Sequence, residues 1–381
     1  MTIGIELIDE PGWMGGTLYL RNLALCLGRL PEAIRPGISL LGTQSVVSRF
    51  RKDCGNPDIF DGQTGETAWG KVLRKLGWRS SAPSAQIDVV YPGFGATVPN
   101  AVTIRWIPDF QHRYLPGLFS SDEIEARNHS IGAIASTPGV VVLSSEVAAA
   151  DLRRFFPGHR VTPRVWHFCS LIDTSSEGSR DSWRQQYGIP EKYLYLPNQF
   201  WAHKNHITVL KALAILRDRQ GLSIPLVCTG TQSDRRNAAH FDSLLEFIGA
   251  RGIADQIHLL GLLPRREQIE VLRGAAAVVQ PSLFEGWSTV VEDARAVGRP
   301  IFLSDIPVHR EQSPPYGAYF SPESDEEVAA LLAERWPSLR PGPDLNSEDI
   351  ARSEMDGRIL DSAREFCEIA SVALAMKGTS A

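Results

Sequence analysis

Short apolar runs alternate with longer segments whose apolar residues recur every three to four positions, and the alternation repeats along nearly the whole chain. Ile3–Ile8 reads as a buried strand. Gly15–Leu30 follows as a loop opening into a helix, with Leu18, Leu20, Leu23, Leu25, Cys26 and Leu30 supplying its apolar face. Ile38–Leu41, Ile87–Tyr91, Thr103–Ile107 and Val140–Leu143 are further strand candidates, apolar throughout as buried parallel strands require. A polar, serine-rich stretch, Ser170–Asp181, then reads as an interdomain linker.

A second series begins at Tyr193–Leu196. It predicts helices over Thr208–Arg219, Phe241–Ala250, Arg266–Gly274 and Thr289–Val297, and strands over Leu226–Thr229, Ile257–Leu259, Ala277–Gln280 and Pro300–Leu303. Repeated βα units imply a doubly wound parallel sheet. Two series imply two α/β domains, 1–175 and 185–350, facing each other across a cleft. Ligands of such sheets bind beyond the carboxyl ends of the strands. Met355–Met376 has helical periodicity, and a helix of about 358–378 is expected to pack back on the first domain.

Composition narrows this picture. A net charge of −5 and ordinary apolar and charged fractions suit a globular protein and argue against a nucleic-acid partner. Cys26, Cys54, Cys169, Cys228 and Cys367 are scattered and form no CxxC pair, which disfavours a disulfide framework and a zinc site. Glu6, Asp9 and Glu10 break the first apolar run, and no run reaches the roughly 18 residues of a membrane span. A cytoplasmic, soluble protein is expected.

Candidate chemistry lies in the loops after strands. Pro11–Thr17 (PGWMGGT) precedes a helix, where glycines let backbone N–H groups approach a phosphate; it is neither GxGxxG nor a Walker A loop. In Pro197–His206 (PNQFWAHKNH), Lys204 can neutralise a diphosphate as a point charge. His203 and His206 have no carboxylate or cysteine at ligand spacing, so no metal is expected. In Leu283–Arg299 (LFEGWSTVVEDARAVGR), the backbone of Gly286, Trp287 and Ser288 is expected to face an anion, and Glu285 to accept bonds from sugar hydroxyls. Asp293 lies about two helical turns further on, within reach of a ribose diol, and Glu292 points about 100° away. Trp106–Pro116 (WIPDFQHRYLP) follows a first-domain strand and carries Asp109 and His112.

Together these segments resemble the GT-B-fold glycosyltransferases, specifically retaining family 4. Gly15–Gly16 matches the glycine pair of the first βα loop. Asn198–Asn205 resembles the GRLxxxKN-type loop, and His258–Gly298 the phrase ending in EGFGLxxLEAMAxG. Two departures stand out. The loop's arginine falls on Gln199, leaving Arg235 or Arg236 to replace it, and the second acid of the EX7E pattern falls on Asp293, with Glu292 its rival.

The resemblance implies two Rossmann-like domains, an acceptor-side one over 1–175 and a nucleotide-sugar-binding one over 185–350, and a nucleoside-diphosphate-sugar donor. It implies transfer of a hexosyl or deoxyhexosyl group to a glycan, lipid-linked or other hydroxyl acceptor, with retention of configuration and no cofactor or metal. By the same resemblance Gly15, Gly16, Gln199, Lys204 and Gly230 bind the donor, Lys204 and the backbone of Gly16 holding the diphosphate, and backbone at Leu262 and Leu263 meets the base. Phe284 also contacts the donor, Glu285 and the loop of Gly286, Trp287, Ser288 and Thr289 hold its sugar, and Asp293, favoured by register over Glu292, holds ribose. Glu285, Asp109, His112 and Lys204 are the catalytic candidates. The implied setting is surface polysaccharide or glycoconjugate assembly; a catalytically silent partner-binding subunit and a sugar-nucleotide epimerase are the alternatives. Separately, Trp69–Arg79 (WGKVLRKLGWR) has the spacing of a basic amphipathic helix, which either packs on the core with solvated lysines or makes a peripheral membrane contact at the inner face of the cytoplasmic membrane.

Overall fold

The computed structural model describes residues 1–10, 13–55, 57–60, 64–65, 86–172 and 180–378. The amphipathic Trp69–Arg79 segment lies outside the described residues, as do Pro11 and Gly12 of the glycine loop and most of the expected linker. The chain divides into two compact units: residues 1–109, 125–171 and 356–381, and residues 110–124 and 172–355. Residues 110–124, expected with the first domain, group with the second unit.

The second unit is built on six parallel strands, β9 (Leu194–Leu196), β10 (Leu226–Cys228), β11 (Ile257–Leu259), β12 (Ala277–Gln280), β13 (Ile301–Ser304) and β14 (Gly317–Phe320), in the order β11-β10-β9-β12-β13-β14. Successive side chains of a strand point to opposite faces, and the core obeys this. Leu194, Leu196, Cys228 and Val279 join one apolar cluster with the helices His206–Gln220, His240–Arg251 and Asp325–Arg335. Tyr193, Tyr195, Val227 and Val278 join another with Arg265–Gly274 and Thr289–Ala296. Helices therefore cover both faces. The strand order reverses between β9 and β12, so the loops that leave their carboxyl ends diverge and open a crevice.

The first unit repeats the plan. β1 (Thr2–Glu6), β2 (Gly37–Leu41), β3 (Thr64–Gly65), β4 (Val89–Tyr91) and β5 (Val102–Thr103) run parallel in the order β3-β2-β1-β4-β5, and the order reverses between β1 and β4. A separate three-stranded parallel sheet follows, β6 (Arg105–Ile107), β7 (Gly139–Leu143) and β8 (Val161–Val165). The helix Met14–Gly28 begins before the glycine pair, so Gly15 and Gly16 belong to its first turn rather than to the loop expected there. The long helix Leu345–Gly378 ends in this unit. There the Trp166 indole N–H donates to the Ser362 carbonyl at 3.0 Å, and the Phe366 ring meets Tyr91 edge-on at 4.9 Å.

Candidate functional site

At the β9/β12 crevice, two loops far apart in sequence are stitched together. The Leu283 N–H donates to the His203 carbonyl at 2.8 Å. The Asn205 amide donates to the carbonyls of Pro281 (3.0 Å) and Pro322 (2.8 Å), and accepts from the Thr208 hydroxyl (2.8 Å). Asn205 is held at φ 57°, a left-handed conformation that asparagine tolerates and that turns the chain into the helix His206–Gln220.

This stitching delivers Lys204 to Glu285. The ammonium Nζ lies 2.6 Å from Oε1, with the two side chains only 14% and 10% exposed. Gln280, fully buried at the end of β12, donates to the same Oε1 at 2.8 Å and accepts from the Asn198 amide at 2.6 Å. Burial pushes the Glu285 carboxyl up, but the Lys204 ammonium, as charge and as donor, outweighs it, with His309 and Ser282 adding to the effect. The net direction is down, so the Glu285 carboxyl is ionised at neutral pH. His203 is held well below the usual imidazole range by burial and then by the Lys204 and Arg236 charges. His206 is pushed down to about 3 by burial, His240 and Lys204. Both imidazoles are therefore neutral.

The loop after β10 packs against the loop after β9. A side chain at Gly230 (φ 134°) would place its Cβ 2.3 Å from the Asn198 carbonyl oxygen, so only glycine fits. Gln199 braces the same crossing, its Oε1 accepting from the Thr231 N–H at 3.1 Å. Arg236, from this loop, donates to the ring Nδ1 of His203 (3.3 Å) and to Gln111 Oε1 (3.2 Å). Its guanidinium lies 5.0 Å from the Phe119 ring centroid and 5.7 Å from that of Trp201. It thereby fastens the short helix Gln111–Tyr114 and the turn after it to the β9 loop. Tyr114, from the same short helix, meets the Phe284 ring at 5.4 Å. His112 is buried in this segment, edge-on to Phe119.

The helix Thr289–Ala296 carries the two rival acids in opposite settings. Asp293 takes a two-point bond from the Arg265 fork, 2.5 and 2.7 Å. Glu292 is fully buried, accepts from the Gln312 amide at 3.1 Å, and lies 3.8 Å from Arg295. Gln312 also takes both main-chain groups of Ser288, at 3.1 and 3.0 Å. The Ser288 N–H is thus donated inward rather than held toward an anion as the sequence suggested, because the helix start is capped by an amide from elsewhere. Gly286 and Trp287 are half-buried. At the β11 edge, Leu262 is 58% exposed while Leu263 enters the core.

In the first unit, Gly15 is open, but a Cβ at Gly16 would lie 2.6 Å from Ile8 and 2.9 Å from the Trp13 ring. The bare surface of Gly16 receives those side chains. Asp109 is the last residue of its segment of the first unit, whereas His112 groups with the second. Of the four catalytic candidates, Lys204 and Glu285 stand in direct contact. Among the described residues, no group of three or more His, Cys, Asp or Glu is placed to hold a metal ion, and no helix is long and apolar enough to cross a membrane.

The segment that carries Lys204, Gly230, Glu285 and Asp293 can be compared with known proteins. Residues 179–336 match the family model described as glycosyl transferases group 1. These residues form a group 1 glycosyltransferase domain. The D-inositol 3-phosphate glycosyltransferase of Mycolicibacterium smegmatis is 28% identical over 170 residues, 44% of this chain and 37% of that protein, so the match spans little more than a third of its length. Among solved structures, Anabaena HepE in complex with UDP and glucose aligns with a TM-score of 0.66 at 15% identity, over 97% of this chain and 99% of that one. A glycosyltransferase from Rickettsia africae aligns with a TM-score of 0.65 at 13% identity, over 98% of each chain. At such identities the likeness is one of fold: α/β, GT-B, with two Rossmann-like domains, and the residues that match the group 1 model all lie in the second unit.

Several residues of the site were not legible as site residues in the sequence. Gln280 had one visible signal, a polar side chain ending an apolar strand (AVVQ). Arg265, Gln312 and His309 had none, because their partners are remote in sequence.

Proposed function

We propose that this chain is a glycosyltransferase that moves a sugar from a nucleoside diphosphate to a hydroxyl acceptor, with retention of configuration and without a metal. The observation that carries the reading is the desolvated Lys204–Glu285 pair at the β9/β12 switch point of a group 1 glycosyltransferase domain. A lysine there neutralises the diphosphate as it leaves and gathers negative charge, and the carboxylate orients the donor sugar by accepting from its hydroxyls. In this reading the departing diphosphate takes the acceptor's proton, so the protein supplies position and charge rather than a nucleophile. Arg236 stands beside His203, next to Lys204, which supports it as the second diphosphate charge where Gln199 has none. The inward bonds of Glu292 support Asp293, with Arg265, as the ribose contact. HepE, bound to UDP-glucose in another structure, supports a nucleoside diphosphate sugar as the donor class. The proposed acceptor is a glycan or lipid-linked glycan in surface polysaccharide or glycoconjugate assembly.

A thermal-shift screen against UDP, GDP, ADP and their sugars tests this. One nucleotide series is expected to raise the melting temperature of the wild type, because a ligand specific to the folded state stabilises it by mass action. The shift is expected to shrink in Lys204→Ala. No shift from any member of the panel would overturn the reading.

A further inference from the structure

The β1/β4 switch point of the first unit has its own chemistry, and it is aromatic. Trp13, after β1, stacks on Trp106 with centroids 5.5 Å apart and planes within 5°. Trp106 in turn stacks on Tyr19 at 4.0 Å and 6°. Phe94, after β4, leans on both Trp13 (6.2 Å) and Trp106 (6.3 Å). Trp106 and Tyr19 are buried, Trp13 is half-buried, and Phe94 is 48% exposed.

An exposed phenylalanine on a surface loop is by itself ordinary, but this one is rigidly presented. The Glu6 carboxylate, 7% exposed at the end of β1, accepts from the backbone N–H groups of Phe94 (2.7 Å), Gly95 (3.2 Å) and Ala96 (2.8 Å). A buried carboxylate with three backbone donors is an expensive anchor, and such bonds to a charged group are among the strong ones. The fold therefore fixes the backbone that carries Phe94 while leaving its ring in water. The adjoining exposed side chains of the β1 loop are acidic, Asp9 and Glu10, with Asp9 3.4 Å from Arg49.

We infer that Trp13 and Phe94 form a binding platform for a neutral pyranose ring. The negative face of an aromatic ring attracts the polarised C–H groups that cluster on one side of a pyranose. Two aromatic rings offer no cation to a phosphorylated ligand, so the platform suits an uncharged one. The crevice beyond the carboxyl ends of β1 and β4, where the strand order reverses, is where such a sheet takes its ligand. Resting on the glycosyltransferase reading, this ring is the acceptor's, and the acceptor is an uncharged sugar rather than a sugar phosphate.

Saturation-transfer NMR tests this on the full chain. The probes are methyl α-D-glucopyranoside, methyl α-D-mannopyranoside and methyl β-D-galactopyranoside, with inositol 1-phosphate and uridine as anionic and nucleobase controls. At least one glycoside is expected to receive saturation on its ring C–H protons and to bind Phe94→Ala about three- to tenfold more weakly. Lys204→Ala is expected to bind it as the wild type does. The proposal is overturned if no glycoside binds, if Phe94→Ala binds as tightly as wild type, or if inositol 1-phosphate or uridine takes the platform in preference. UDP, titrated in parallel, is expected to be weakened by Lys204→Ala and not by Phe94→Ala; absence of UDP binding would count against the donor reading alone.

Discussion

At the β9/β12 switch point the chain places an ion pair; at the β1/β4 switch point it places a stack of rings. Each crevice holds a glutamate, buried at Glu6 and 10% exposed at Glu285, and the two are used differently. Glu6 is engaged by three backbone N–H groups of its own unit, so its charge serves the loop. Glu285 is matched by the Lys204 ammonium and the Gln280 amide, with Ser282 beside them, side-chain partners that an incoming ligand can share. The same sheet order thus presents a rigid apolar surface in one unit and an exchangeable charge in the other. Loop chemistry, not strand order, assigns the ligand class.

The comparison is broken most directly at the charged crevice. Lys204→Ala is expected to lower turnover by roughly 100- to 1000-fold, the cost of removing one donor aimed at developing charge. It also strands a buried carboxylate, which costs about 3–5 kcal/mol of stability. The double variant Lys204→Met/Glu285→Gln removes both charges, so it is expected to recover most of that stability in urea titrations while remaining inactive. Recovery of activity with stability would show that the pair is structural only.

Next in size is Gly230→Ala, which tests the crossing that positions the β9 loop. The added Cβ meets the Asn198 carbonyl at 2.3 Å with φ at 134°, so a loss of about 2–4 kcal/mol is expected from thermal denaturation. An unchanged melting temperature would mean that the two loops are not held as described.

The pH dependence of stability gives a smaller, graded test. The folded-state pKa of His206 is lowered to about 3, so between the ordinary value near 6.5 and about 3 the unfolded chain binds a proton that the folded one does not. Stability is therefore full above about 6.5 and falls by up to roughly 1.4 kcal/mol per pH unit below it. Glu285 adds to the loss at lower pH, since its lowered pKa contributes stability that disappears as the pair's carboxylate is protonated. His206→Phe, which keeps the stack on Phe200 (4.3 Å, 16°), is expected to flatten the slope between pH 6 and 4. An unaltered slope would contradict a neutral buried His206.

The smallest effect is expected in the aromatic crevice. Phe94→Ala should shift unfolding by less than about 0.5 kcal/mol, because its ring is half in water and its backbone anchor is Glu6. A larger loss would make Phe94 part of the core and weaken the contrast.

Strands in the second unit were legible because a strand buried on both faces is an unbroken apolar run, as in Ala277–Gln280. β14 and the helix Pro307–Gln312 were not, since GAYF is short and PVHREQ shows no apolar period. Lys204 and Glu285 could be read as site candidates because each lies in the loop after a strand. Their contact could not, since the partners are 81 positions apart. The same reason hid the Arg265 fork on Asp293, across 28 positions, and the Glu6 anchor of Phe94, across 88. Gly16 was read as a phosphate contact from its place at a helix start; packing against Trp13 and Ile8 explains that glycine equally well.

The most direct test of the account is nucleotide release from a panel of UDP-, GDP- and ADP-sugars with an acceptor mixture, comparing wild type with Lys204→Met/Glu285→Gln. The account predicts acceptor-dependent release from one donor series by the wild type, and none above background from the folded double variant. Equal release by both proteins would contradict the assignment of the β9/β12 crevice as the donor site.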